Sequence, residues 1–154
     1  MKLTVRVAAQ ADLPRILELL DQIDESMYPQ RDDAGQATRL SVFREIAADP
    51  RQHLLVAEVD GSIVGTVHLI VIHHFSRSCK PSGLLESMVV DEAYRRKGVG
   101  AALLREAQRL ALGTGCYKLA LSSNLARRGA HRFYSRLGWT RTHYGFSLEP
   151  PKSG

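Results

Sequence analysis

Arg95-Arg96-Lys97-Gly98-Val99-Gly100-Ala101 lies between a strand-like run, Leu84 to Val90, and a helix-patterned stretch, Ala101 to Leu112. Glycines between a strand end and a helix start leave backbone N–H groups unshielded, and the helix terminus adds partial positive charge. Such a turn is an anion cradle, above all for phosphate or pyrophosphate. The Gly-Lys-Ser/Thr ending of a P-loop is absent, and the glycine spacing is not that of a dinucleotide fingerprint.

Outward from this turn, hydrophobic periodicity sets the order of elements. Leu3 to Val7 alternates as a strand. Asp12 reads as an N-cap before a helix with Pro14 in its first turn and Ile16, Leu19, Leu20 and Ile23 at helical spacing. Ser26 to Gln36 reads as a loop, and Ala37 to Ala48 as a second helix stopped by Pro50. Leu55, Ala57 and Val59 alternate, Asp60-Gly61 marks a hairpin turn, and Ile63 to Val71 alternates again. His73 to Gly83 is a polar loop long enough to shape a pocket. Beyond the glycine turn, Leu103, Leu104, Ala107, Leu110 and Ala111 form an apolar helical stripe. Tyr117 to Ser122 reads as a strand, Arg127 to Leu137 as a helix capped by Gly138, and Trp139 to Leu148 as a last strand. The order β-α-α-β-β-β-α-β-α-β predicts an α/β (α+β) fold, a mixed, mostly antiparallel central sheet with helices on both faces. Residues 1–150 are expected to form a single domain and 151–154 a frayed tail.

Composition narrows the function. The chain has 154 residues, 44% hydrophobic and 24% charged, as in ordinary globular proteins. Its apolar runs are too short for a membrane span, and its start lacks the apolar core of a signal segment, so a cytoplasmic location is expected. Cys79 and Cys116 are too few for a disulfide framework, and they read as two reduced thiols. The net charge of +5 suits a nucleic-acid binder or an enzyme of a polyanionic cofactor. Aromatic residues are only 6% and do not interleave with the basic clusters, so no nucleic-acid partner is expected.

These residues resemble the GCN5-related N-acetyltransferase (GNAT) superfamily. Its acetyl-CoA signature, Gln/Arg-x-x-Gly-x-Gly/Ala, is matched at every fixed position by Arg95-Arg96-Lys97-Gly98-Val99-Gly100. The strand Leu85-Glu86-Ser87-Met88-Val89-Val90-Asp91 precedes it as in the family. Ala130-His131-Arg132-Phe133-Tyr134-Ser135-Arg136-Leu137-Gly138-Trp139 resembles the family's later Ala-x-x-Phe-Tyr-x-x-Leu-Gly-Phe helix. Val67-His68-Leu69 with His73-His74, Ser122-Ser123-Asn124, and Arg128 to Tyr134 running on to Thr142-His143-Tyr144 are similar to the aminoalkylphosphonate N-acetyltransferases. One departure is clear: where many members carry an Asn that contacts the pantetheine arm, this chain has Arg127, and Asn124 is the candidate replacement.

The resemblance implies acetyl-CoA as co-substrate and direct transfer of acetyl to a primary amine. Arg95, Arg96, Lys97, Gly98, Val99, Gly100 and Ala101 would clamp the pyrophosphate, while the backbone of Met88, Val89 and Val90 would pair with the pantetheine amides. The Met88 N–H would polarise the thioester carbonyl. Tyr134 would protonate the departing thiolate, its ordinary pKa near 10 leaving it a proton to give. Glu86 is the one acid in the run Leu84 to Val90; by strand alternation it shares a face with Met88 and Val90, and it reads either as the base that takes the ammonium proton, directly or through water, or as a solvated edge residue. His68, His73 and His74 suit a substrate-facing role better than a metal site, and no metal is predicted. The expected acceptor is a small polar amine, anionic or phosphonate-bearing. Alternatives are a protein N-terminal or lysine acetyltransferase and, in another class, a non-catalytic acyl-CoA-binding module. Exposed strand edges are compatible with a homodimer.

Overall fold

The sheet is built by one tight hairpin, one nine-residue loop, one connection through two helices and one helical crossover. The computed structural model describes residues 1–23 and 34–151. Most of the loop expected at Ser26 to Gln36, and all but the first residue of the expected 151–154 tail, lie outside the described residues. Strands β1 (Leu3–Val7), β2 (Gln52–Val59), β3 (Ser62–Ile72), β4 (Ser82–Val90) and β5 (Leu119–Leu121) run in the order β1-β2-β3-β4-β5. All pairs are antiparallel except β4 with β5, which is parallel. Asp60 and Gly61, both at positive φ, make the β2–β3 turn, the backbone geometry that matches strand twist. The helices are α1 (Leu13–Leu20), α2 (Gln36–Ala48), α3 (Val99–Gly113) and α4 (Arg128–Arg136).

The chain divides into two compact units, residues 1–121 and 122–154. In the first, the sheet is sandwiched by apolar helix faces. Helix α3 buries Val99, Leu103, Leu104, Ala107 and Ala111, and α1 buries Leu13, Ile16 and Leu19. Each of the fully enclosed leucines, Leu19, Leu55, Leu69 and Leu103, contributes about 1.5–3 kcal/mol of burial free energy. Asp12 stands at the N-cap position of α1 as expected, yet its carboxylate reaches backward, accepting the Ala9 N–H at 2.8 Å and the Arg6 guanidinium at 2.7 Å. Thr66, the buried polar residue of β3, donates to the Leu55 carbonyl at 2.8 Å, so its hydroxyl is satisfied.

The second unit holds α4. Asn124 Oδ1 accepts the Ala126 N–H at 2.9 Å, and the Asn124 carbonyl lies 2.9 Å from His131 Nε2, which pins the turn entering the helix. At the other end Gly138, at φ +87°, reverses the chain and Trp139 N–H returns to the Tyr134 carbonyl at 3.0 Å.

One expected element is not there. Trp139 to Leu148 has no strand assignment, and Tyr144, Phe146 and Leu148 are 88%, 95% and 98% exposed. Alternation supplies a strand's side-chain pattern but not its hydrogen bonds, and no strand of the sheet pairs with this segment. Smaller differences are β2 beginning at Gln52, β5 shrinking to three residues and α3 starting at Val99.

Gly65 lies at a close contact between the sheet and α3. A Cβ there would stand 3.1 Å from the Leu103 side chain, 3.2 Å from the Val89 carbonyl oxygen and 3.3 Å from Val99. The carbonyl cannot yield without moving β4, so Gly65→Ala is expected to destabilise by about 1–3 kcal/mol. Urea unfolding checks this through a lower midpoint at unchanged slope; an unchanged midpoint would show that α3 has room to retreat.

Candidate functional site

Strand β4 carries one residue too many for its neighbour. Glu86 pairs with His68 and Val89 with Thr66, so Ser87 and Met88 together oppose the single residue Val67. This is a β-bulge, with Ser87 at φ +52° in the left-handed region. The expectation that Glu86 shares a face with Val90 is therefore corrected. Val90 pairs with Gly65, on the α3 side, whereas Glu86 pairs with His68, three residues on in β3 and so on the opposite face. Leu85 and Val89, both buried, mark the phase of the alternation before and after the shift.

At the same place the sheet parts. Strand β5 pairs with β4 only over Gly83–Leu85, and among the described residues no strand pairs on that side with β4 from Glu86 to Val90. Met88 and Val90 are half-buried there. A backbone bent by a bulge, beside a strand that has stopped, offers an extended ligand a place to add in strand fashion.

Past β4, Asp91 organises the turn. Its Oδ1 accepts the Ala93 N–H at 2.9 Å, its own N–H donates to the Val64 carbonyl at 2.9 Å, and its Oδ2 accepts a hydrogen bond from Arg15 of α1. The Ala93 amide first and then the Arg15 guanidinium hold the Asp91 carboxyl below its usual range. Gln22 adds a second tie, its side-chain oxygen accepting the Glu92 N–H at 3.2 Å. The following residues, Arg95 to Gly98, are exposed. Gly98 sits at φ +83°, a conformation open at little cost only to glycine, and it heads α3. The first hydrogen bond into α3 runs from Ala102 N–H to the Gly98 carbonyl at 3.0 Å, so the amides of Val99, Gly100 and Ala101 precede the helical ladder.

The three basic residues of the turn are not equivalent. Arg95 folds back, its Nε donating to the Val90 carbonyl at 3.1 Å and its head group 3.6 Å from Glu92. Lys97 lies over the Tyr94 ring at 5.2 Å. The Arg96 side chain projects without a protein partner among the described residues. The turn thus combines a fixed frame with one free cation.

In the second unit, Tyr134 is half-buried between Phe133 and Trp139, with ring centroids 5.4 and 6.1 Å away. Burial raises the phenol above its ordinary value, opposed by the charge of Arg127. It therefore keeps its proton throughout the neutral range. Asn124 is exposed; with Oδ1 engaged by Ala126, its amide nitrogen is the group it can offer a ligand.

The histidines do not form one cluster. Strand β3 ends at Ile72, before His73 and His74. His74 turns aside to Ser76, 3.0 Å from its Oγ, and meets the Tyr117 ring edge-on at 5.7 Å. His68 remains in β3, half-buried, its Nε2 enclosed without a hydrogen bond. Among the described residues no group of three or more His, Cys, Asp or Glu side chains is gathered as a metal would need. Ser87 escaped the sequence reading because nothing but a glycine there would have advertised a left-handed residue. Arg15 and Asp91 were equally silent, since partners 76 residues apart leave no local signal.

Comparison with known proteins places the chain in a family. The pattern of the acetyltransferase (GNAT) family matches residues 16–139. The chain is 30% identical over 141 residues to a glucosamine 6-phosphate N-acetyltransferase of Trypanosoma brucei brucei, covering 92% of this chain and 90% of the relative. It is 33% identical over 99 residues to an aminoalkylphosphonate N-acetyltransferase of Salmonella typhimurium, 64% of each chain. Among solved structures, an acetyltransferase described as putative, from Agrobacterium tumefaciens, superposes with a TM-score of 0.84 at 28% identity, over 96% of this chain and 99% of that one.

His68 provides a titration that reports on this site. Burial first, and the nearby His53 second, lower its pKa from the ordinary 6.5. The unfolded chain then binds a proton that the folded one refuses, so stability is full above about pH 6.5 and falls as pH drops below it. Urea midpoints measured down this range are expected to decline more steeply for the native protein than for His68→Gln; parallel curves would show that His68 does not titrate abnormally.

Proposed function

The chain belongs to the acetyltransferase (GNAT) family, and we propose that it transfers the acetyl group of acetyl-CoA directly to the primary amine of a small polar acceptor bearing phosphate, phosphonate or another anionic group. The observation that carries the reading is the coincidence, in β4, of the bulge at Ser87 with the end of β5, a few residues before the Gly98 turn. A pantetheine arm laid along Met88 to Val90 leads naturally to a pyrophosphate on the amides of Val99, Gly100 and Ala101. Arg96 is the residue with charge to spare for the phosphates, and Arg95 and Lys97 act mainly in shaping the turn. Residues 1–150 are taken as one catalytic domain.

The neutral amine attacks the thioester carbonyl, and the Met88 N–H supports the negative charge that develops on the oxygen. Glu86 removes the ammonium proton, directly or through water, with neutral His68 as its cross-strand neighbour on the same face. As the carbon–sulfur bond breaks, Tyr134 gives its proton to the thiolate. Asn124 contributes its amide to the pantetheine arm in the position that Arg127 does not fill. Charge distribution supports an anionic acceptor. Residues 122–154 hold six Lys and Arg against one acid, so the whole net charge of +5 resides there and residues 1–121 are neutral. Two relatives whose names pair an amine with phosphate or phosphonate support the same class.

The test is release of CoA thiol across a panel of aminosugar phosphates, aminoalkylphosphonates, their uncharged analogues and peptides. Charge-assisted recognition should favour the anionic small amines by roughly tenfold or more in kcat/KM. A preference for peptides would move the protein to the protein-acetylating class, and silence with every amine would make it a binding module.

Two variants examine the roles. Tyr134→Phe should lower kcat by about 10²-fold or more while leaving the KM for acetyl-CoA nearly unchanged. Glu86→Gln should depress the rate mainly at lower pH, because at high pH the amine is already neutral; an unaltered pH profile would remove Glu86 from the mechanism.

A further inference from the structure

Helix α1 reaches the donor turn from outside it. Leu13, Ile16 and Leu19 are buried and seat the helix on the sheet. Past Leu20, hydrogen bonds from the Asp21 N–H to the Leu17 carbonyl at 3.0 Å and from the Gln22 N–H to the Leu19 carbonyl at 3.1 Å continue its course. Arg15 and Gln22, about two helical turns apart, therefore stand along one edge of it. Both reach the two residues that open the turn. The Arg15 guanidinium is shared among the Asp91 carboxylate, the Ile63 carbonyl at 3.1 Å and Glu18 at 2.9 Å. The Gln22 side-chain oxygen accepts the Glu92 N–H at 3.2 Å. Beyond them, residues 95–98 are exposed, and a loop in water holds one conformation only as far as directional bonds fix it.

We propose that Arg15 and Gln22 are positioning residues for the donor: through Asp91 and Glu92 they hold the turn in the conformation that meets the pyrophosphate of acetyl-CoA. Neither is placed against the cofactor, so neither is catalytic. This role rests on the acetyl-CoA reading above and extends it to side chains 70 or more residues away in sequence. A ligand that must order its own site loses that ordering cost from its affinity, so a turn held in place beforehand binds more tightly. Arg15 suits the task because its planar fork bonds a carboxylate and a carbonyl at once, fixing α1, the start of β3 and the end of β4 in one geometry. Gln22 completes it. The Asp91 carboxylate accepts the Ala93 N–H and Gln22 accepts the Glu92 N–H, so both successive amides at the opening of the turn have acceptors. The pantetheine arm is assigned to Met88 to Val90, in a strand that pairing with β3 holds. Loss of either tie therefore weakens the pyrophosphate contacts and leaves those of the arm.

The test compares CoA with pantetheine, which has the thiol arm and no pyrophosphate, on the native protein and on Arg15→Met, Gln22→Met and Arg15→Lys. Methionine roughly keeps the length of either side chain and removes its hydrogen bonds. By isothermal titration, each methionine variant should bind CoA roughly tenfold more weakly than the native protein. Arg15→Lys, which keeps a charged donor, should recover part of that loss. Pantetheine affinity, followed by NMR titration, should be the same in the native protein and every variant, whereas general damage to the fold would weaken both ligands together. Native CoA affinity in both methionine variants overturns the proposal, and so does an equal loss for both ligands. A native protein that binds no CoA would overturn the donor reading itself, which is a distinct result. Gln22→Met removes one neutral hydrogen bond and leaves the Arg15–Asp91 pair, so it decides the question if Arg15→Met fails to fold.

Discussion

One surplus residue in β4 governs the architecture of the first unit. With Ser87 and Met88 opposing Val67 alone, every side chain from Val89 onward changes face relative to an unbulged strand. That shift puts Val90 opposite Gly65, and at Gly65 the Val99 and Leu103 side chains of α3 leave no room for a Cβ. The missing side chain at 65 and the extra residue at 87 are two halves of one adjustment. Together they allow the N-terminus of α3, and the turn headed by Gly98, to sit hard against the strand that leads into it. The left-handed φ at Ser87 costs about 1–2 kcal/mol, a local strain of the kind that persists where a strand must be re-aimed.

A second constraint keeps the turn from fraying. Asp91 links four parts of the chain: its own loop through Ala93, the α1 helix through Arg15, β3 through the Val64 carbonyl, and the end of β4 by connectivity. Arg15 in turn donates to the Ile63 carbonyl at 3.1 Å and pairs with Glu18. An exposed ion pair contributes little alone, but here the carboxylate also accepts a backbone amide and is largely shielded. The stability of the turn therefore comes from directional bonds around one aspartate more than from the charges of Arg95 and Lys97.

What was legible in the sequence divides along the range of the interactions. Asp60-Gly61 and Gly98 could be read because a backbone at positive φ selects its residue locally. The α3 stripe was equally clear, since Leu103, Leu104, Ala107 and Ala111 repeat at the helical period and are all buried. The bulge was not, because serine advertises no left-handed residue and the mismatch exists only between two strands. Glu86 illustrates the consequence: its position along β4 was read correctly, but its face relative to Val90 depends on an insertion that alternation cannot register. The segment after Trp139 failed in the opposite sense. Its alternation is real, but a strand is a relation between two backbones, and one sequence describes only one of them.

Charge shows why such readings must be made locally. A pI near 9.5 describes the whole chain, yet no acid occurs from residue 107 to 148, and the excess sits entirely in residues 122–154. On α4, Arg128, Arg132 and Arg136 recur at four-residue spacing and are exposed, so like charges face one another along the helix. Each such pair opposes the helix by roughly 0.2–0.5 kcal/mol, a cost that hydration and packing of Phe133, Tyr134 and Trp139 must offset. The arrangement has an electrostatic consequence at Tyr134. Burial alone would make its phenolate strongly unfavourable, and the nearby Arg127 works against that penalty. A phenol that is buried and protonated at rest holds the proton that the proposed reaction asks of it. In an α4 without acids, that cation stays available, because no carboxylate on the helix competes for it.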